Sequence, residues 1–383
     1  MGVRELYMNQ ARKVLSTYSS DTFGVISALY GLGGLLVMHD ASGCNSTFTT
    51  HDEPRWYGDD GLVFVSAVTE EEAVMGTAGD RLAADMIEAS GHFKPNFTAI
   101  ASTPIPWMTG SDIDLTAAEI EGKTGIPSFG FDVSGMRSYE IGASMALLAL
   151  AKRFCNAPNP SVKGGVNILG ATPLDLEDEQ YEHIKAVIEG CGLNVLSSWS
   201  MNGRFEDLAK ASSAEVSLVV SVTGIDTAKY LFEQFGIPYV IGLPSGPVTD
   251  SAVSSALKEA IKNKKCINVF DGYFSDRNAT AVVIGEPVAA RSLAMEKGSV
   301  LSDDKSRNIS IKCDVRVISP IVDSPNIEAL LSKGDIMTTS ETEIEGELSK
   351  CKTVYADGLY KFVCPEDAEL IKVHHRAYSG RIM

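Results

Sequence analysis

Gly34-Leu35-Leu36-Val37-Met38-His39-Asp40-Ala41-Ser42-Gly43-Cys44 begins as an uninterrupted apolar run and ends as a polar loop closed by a cysteine. An apolar run of this length, bounded by turn residues, reads as a strand buried on both faces, the kind found in parallel sheets. A cysteine on a glycine-bearing loop just past such a strand stands at the carboxyl edge of the sheet, where open α/β proteins place ligands. Gly43 lets the backbone approach a bulky partner. Taken alone, Cys44 reads equally well as a small buried hydrophobe.

The same alternation runs outward along the chain. Behind a helical N-terminal stretch, residues 34–39, 61–68, 96–102 and 126–131 read as strands. A helical segment at 74–89 and a strong one at 140–154 separate or follow them. Pro158, Pro160, Gly164 and Gly165 then signal a boundary loop. Beyond it, strands are expected at 166–170, 194–198, 216–222 and 239–243. Tyr181, Ile184, Val187, Ile188 and Cys191 recur at helical spacing, which predicts that Cys191 faces a core. A third unit is expected from Cys266, with strands at 267–270, 281–284, 315–318 and 353–355. Gly285-Glu286-Pro287 follows one of these strands and opens a helix, the usual position of a ligand-facing loop. The pattern predicts an α/β protein of three Rossmann-like domains, with mainly parallel sheets flanked by helices. The divisions fall at 1–157, 158–264 and 265–383.

Composition narrows the function. The chain has 383 residues, 44% hydrophobic and 22% charged, with a net charge of −17, which suits a globular protein and not a disordered one. It has no cluster of Lys and Arg of the kind nucleic-acid binding needs. It shows no apolar run near the roughly 20 residues of a membrane helix and no secretory pattern at the N-terminus. A cytoplasmic protein without a nucleic-acid or membrane partner is expected. The periplasmic binding proteins, which share an α/β frame, are disfavoured by the same N-terminus. Neither G-x-G-x-x-G nor a Walker-type loop occurs. The seven cysteines, Cys44, Cys155, Cys191, Cys266, Cys313, Cys351 and Cys364, include no C-x-x-C, against a local zinc knuckle or a ferredoxin-type loop. Glu70, Glu71 and Glu72 suit the N-terminus of a helix.

A family resemblance gives these residues more weight. His39-x-x-x-Gly43-Cys44, then Phe48 and His51, then Thr69, Glu70, Val74 and Gly76 resemble the beta-type chain of nitrogenase component 1. Thr103-Pro104, followed by Gly110-Ser111-Asp112-Ile113, is similar to that family's Cys-Pro and Gly-Asp-Asp-Ile stretch. His374-His375-Arg376-Ala377-Tyr378-Ser379-Gly380 is similar to its C-terminal His-x-x-x-Tyr-Ser-Gly region. The resemblance implies a subunit of a nitrogenase-like reductase, with Cys44 as a ligand of a [4Fe–4S] cluster at a subunit interface. His39, Gly43, His51 and Cys364 would line the cofactor, and His374 and His375 would be catalytic. His374 falls where the family places its cofactor histidine.

The departures from the family matter as much. The second and third cluster cysteines fall near Val63 and at Thr103, and the cofactor cysteine near Val220. Dinitrogen reduction is therefore not expected. One thiolate cannot satisfy a four-ligand cluster, so a homologous component 1-type subunit should supply the rest in a heterodimer or heterotetramer. An ATP-hydrolysing iron protein would deliver electrons to a tetrapyrrole or organosulfur substrate. The alternative is a non-catalytic scaffold for assembling a metal cofactor.

Overall fold

The computed structural model describes residues 14–41, 53, 55, 61–155, 160–298 and 311–379. Three parallel sheets carry the fold. The first is built from β1 (Leu35–His39), β2 (Leu62–Val65), β3 (Thr98–Ser102) and β4 (Ser128–Phe131), in the order β2-β1-β3-β4. The second is built from β5 (Gly165–Leu169), β6 (Asn194–Ser198), β7 (Val216–Val219), β8 (Tyr239–Ile241) and β9 (Ile267–Asn268), in the order β6-β5-β7-β8-β9. A short parallel pair joins β10 (Tyr273–Ser275) to β12 (Ile311–Cys313). The third sheet is built from β11 (Ala281–Ile284), β13 (Val315–Ser319), β14 (Ile336–Met337), β15 (Thr353–Ala356) and β16 (Glu369–Lys372), in the order β14-β13-β11-β15-β16. Every pairing within these sheets is parallel, which requires crossovers, here mostly helical. The α/β class expected from the sequence is the class observed.

Apolar continuity in the strands comes from burial on both faces. On β1, Leu36 and Met38 join the large core that runs through all three sheets, whereas Leu35 and Val37 pack outward with Leu82, Met86, Ile113 and Ile120. These four residues belong to the helices Ala78–Phe93 and Ile113–Thr124. β11 divides in the same way, with Val282 and Ile284 inward and Val283 outward.

The helix Asp21–Leu29 is buried along its whole length and packs against Tyr139–Phe154. Two glycines make the contact possible. A Cβ on Gly24 would overlap the carbonyl of Tyr139, and one on Gly142 would overlap the carbonyl of Asp21. This backbone-to-backbone contact anchors the first turn of the second helix, where Tyr139 and Glu140 lie.

Three local expectations are corrected. The helix expected at 74–89 is two, Glu70–Met75 and Ala78–Phe93, because Gly76 takes a left-handed conformation, φ 71°, and ends the first. Ile267–Asn268 pairs with β8 in the second sheet instead of opening a third one, since a buried parallel strand offers it a ladder of hydrogen bonds. Cys191 is half-buried and not in the core. It lies just past the helix Asp178–Gly190, where its Sγ donates to the Ile188 carbonyl at 3.1 Å. Among the described residues no helix is long and apolar enough to cross a membrane.

Candidate functional site

Two places at the carboxyl ends of strands gather chemistry. The first is the end of β1. Gly43, Cys44 and His51 lie outside the described residues, whereas His39, Asp40 and Ala41, which lead to them, lie within. His39 is buried, with Nδ1 3.0 Å from Ser66 Oγ. The same hydroxyl accepts from the Asp40 N–H at 3.0 Å. Nε2 of His39 has no hydrogen-bond partner among the described residues. Burial, then the Arg81 charge, pushes this histidine down to about 4, so it stays a neutral imidazole at physiological pH. Arg81 is itself held by the carbonyls of Ser66, at 2.7 Å, and Ala67, and by the Glu72 carboxylate. Glu72 also closes a capping box with Thr69. The three acidic residues thus open a helix, and one of them fixes the arginine beside the site.

Thr103 stands where the resemblance puts a third cluster cysteine. Its buried hydroxyl lies 2.8 Å from both the His39 carbonyl and Asp40 Oδ1. The side chain at this position therefore clasps His39 and Asp40. Val63, near the second position, is buried within β2. Thr103→Val is expected to lower stability by about 1–3 kcal/mol, because it removes a buried hydroxyl from the His39 carbonyl and the Asp40 carboxylate. An unchanged urea midpoint would remove Thr103 from this role.

The second place is the junction of the three sheets. Of the histidine pair, His374 is exposed and His375 is buried. Nε2 of His375 lies 3.3 Å from Asp175 Oδ1 and 3.2 Å from the Tyr139 hydroxyl, and Nδ1 lies 3.3 Å from the Tyr18 hydroxyl. Its N–H donates to Asp357 Oδ2 at 3.1 Å. Tyr139 donates a short hydrogen bond to Asp175 Oδ1, and Thr172 donates to Oδ2 at 3.0 Å. Burial, reinforced by Asp175, raises Tyr139 well above its ordinary value. Glu286 accepts from the Val222 N–H at 2.8 Å and the Ala289 N–H at 2.7 Å, tying the loop after β7 to the loop after β11. Burial lifts both Glu286 and the neighbouring Glu140 to about 8. Both oxygens of Glu140 lack a hydrogen-bond partner among the described residues.

Cys364 is half-buried. Its thiol is pushed up to about 11 by burial and by Cys351, and His375 is not among its described partners. The structure thus brings His375 together with Tyr139, Asp175 and Tyr18, and leaves His39, His374 and Cys364 elsewhere. The sequence reading missed Tyr139, Asp175 and Glu140. It did single out the Glu286 turn, because a glycine and a proline flanked an acid after a strand. A cleft of about 820 Å³ lies nearby, with Gly33, Pro173, Asp178, Asn202 and Arg376 in its walls.

Comparison with known proteins identifies the family. A family model described as "Nitrogenase component 1 type Oxidoreductase" matches residues 20–282. The chain belongs to the nitrogenase component 1 type oxidoreductase family. Within it, the chain is similar to the nitrogenase iron-molybdenum cofactor biosynthesis protein NifE of Klebsiella pneumoniae, at 24% identity over 194 residues. That match covers 47% of this chain and 42% of the relative. It is also similar to a subunit of the light-independent protochlorophyllide reductase of Chlorobium chlorochromatii (strain CaD3), at 26% identity over 196 residues, covering 48% and 34%. The chain thus spans less than half the length of these curated relatives. A structure titled "Nitrogenase Cp1 at pH 6.5" superposes with a TM-score of 0.68 at 13% identity, covering 95% of this chain and 86% of that one. At that identity the likeness is one of fold. Members of the family are oxidoreductases and metal-binding proteins that work in multi-subunit complexes.

Proposed function

We propose that this chain is one subunit of the catalytic component of a nitrogenase-like reductase. In this reading Cys44 gives one thiolate to a [4Fe–4S] cluster shared with a homologous component 1-type subunit in a heterodimer or heterotetramer. An ATP-hydrolysing iron protein supplies the electrons, and a tetrapyrrole or organosulfur compound receives them in the cytoplasm. The observation that carries the reading is an apolar surface beside the root of the Cys44 segment. Val74 and Met75 on one short helix, and Ile105, Trp107 and Met108 on another (Pro104–Thr109), are all exposed, as is Leu115. The two helices touch, and the second starts directly after Thr103, the clasp of Asp40. Methionine and tryptophan in a contiguous exposed group mark a protein-binding surface. A partner covering this surface would enclose the cluster that its own cysteines complete.

The residues at the edge of β1 suit that role. His39 keeps a neutral, unpartnered nitrogen among the described residues, and Thr103 holds Asp40, a few residues before Cys44. When bound, the cluster supplies electrons one at a time. Reduction also consumes protons, and positioned side chains must hold them. We assign that task to His375, with His374 exchanging with solvent. Cys364 lines the substrate side in this reading, and three domains divide near 157 and beyond β9, which pairs within the second sheet.

A second reading, a scaffold that assembles a metal cofactor without catalysis, draws support from the NifE relatives and from the non-thiolate residues at Val63 and Thr103. Anaerobic purification, alone and with a co-expressed family member, tests both. Iron and sulfide should be present and lost in Cys44→Ala. A preparation whose cluster is indifferent to that substitution would end the main reading. Reoxidation of the reduced complex by a tetrapyrrole favours the enzyme, and transfer of intact metal to an acceptor protein favours the scaffold. Met108→Glu should weaken partner binding at least tenfold, about 1.4 kcal/mol, as read by analytical ultracentrifugation. Unchanged assembly would move the interface elsewhere.

A further inference from the structure

The resemblance puts a metal-cofactor thiolate near Val220 and a cofactor histidine at His374, so the junction of the three sheets is where a second metal centre would be sought. The residues present do not fit one. Val220 is apolar and fully buried, and its N–H donates to the Leu169 carbonyl at 3.0 Å. His374 is exposed. Its neighbour His375 turns inward, but both ring nitrogens are engaged, Nδ1 with Tyr18 and Nε2 with Asp175 and Tyr139. A metal-binding imidazole needs one nitrogen bare. Asp175 is used at both oxygens, by Tyr139 and His375 on one and Thr172 on the other. Glu286 is likewise used at both, by the N–H groups of Val222 and Ala289. Tyr18 stacks on Tyr378 at 4.3 Å, and Tyr378 donates to the Tyr360 hydroxyl at 2.9 Å. Among the described residues no group of three or more His, Cys, Asp or Glu side chains is arranged to hold a metal ion.

We propose that this junction is a metal-free, proton-holding lock: Tyr139 from the first sheet's side, Asp175 and the Val222 loop from the second, and Glu286 and His375 from the third close the space with hydrogen bonds. Glu140 fits the same description. It is fully buried, and burial keeps it neutral up to about 8, a poor state for a metal ligand. Tyr139 and Glu286 also retain their protons at neutral pH. The inference rests on the family membership and not on the electron-transfer role proposed above.

Metal binding by the whole chain tests it, with Co²⁺ and with ferrous iron plus sulfide as probes, under anaerobic conditions. Wild type and His375→Gln should bind the same iron per chain. Co²⁺ should give no d–d absorption that depends on His375, and the variant's melting temperature should fall. Stoichiometric iron or Co²⁺ that persists in Cys44→Ala and disappears in His375→Gln overturns the proposal. Should His375→Gln fail to fold, Cys44→Ala decides alone: iron-free protein supports the lock, and one or more tightly held iron ions per chain refutes it. Absence of Cys44-dependent iron from wild type would sink the proposed electron-transfer role and leave the lock standing.

Discussion

Gly142→Ala is expected to destabilise the protein by about 3 kcal/mol or more, and Gly24→Ala by a similar amount. Each added methyl would meet a main-chain carbonyl of the opposing helix, Asp21 for Gly142 and Tyr139 for Gly24. A flexible side chain could swing aside, but a helical backbone cannot without separating Asp21–Leu29 from Tyr139–Phe154. That separation would uncover a helix buried at every position. It would also displace Tyr139, and with it the hydrogen bond to Asp175. The measurement is the urea midpoint at constant denaturant slope. A midpoint within experimental error of wild type would show that the helices tolerate a wider gap.

Glu140→Gln is expected to do the opposite. Glu140 is fully buried, and burial raises its folded-state value from 4.5 to about 8. In the unfolded chain it ionises near its ordinary value, so between these limits the folded state holds a proton that the unfolded state has released. Stability therefore falls as pH rises from 4.5 to about 8, by on the order of 1 kcal/mol per pH unit for one such group, and changes no further above that. Glutamine removes the titration and keeps the shape. At about pH 8 the variant should be more stable than wild type by about 3 kcal/mol or more, and near about pH 5 the two should converge. Parallel pH profiles for wild type and variant would contradict the assignment. Glu286→Gln is a useful contrast. Its titration has the same sign, but an amide nitrogen cannot accept from both Val222 and Ala289, so the substitution should cost stability at every pH.

Much of the fold was legible along the chain. The apolar runs of β1, β3, β7 and β11 announced strands buried on both faces, whereas the left-handed Gly76 that splits the expected helix at 74–89 went unread. Errors arose where local pattern underdetermines partners. Residues 267–270 read as a strand, but which sheet it joins depends on β8, not on its own residues. The site was legible in a different measure. His375 and the Glu286 turn could be singled out because histidines are few and a strand-to-helix turn is recognisable. Asp175, Tyr139 and Tyr18 could not, because they meet His375 from 200, 236 and 357 residues away.

The sequence by itself determined the α/β class, the parallel strands and the family pattern around His39, Thr103 and His374. These follow from apolar periodicity, turn chemistry and residue identity, all local properties. Only the tertiary structure decided which histidine turns inward, that Thr103 serves as a clasp, and that burial raises Glu140 and Glu286 above the usual carboxylate range. Those outcomes depend on burial and on partners brought from distant segments, and no spacing along the chain records either.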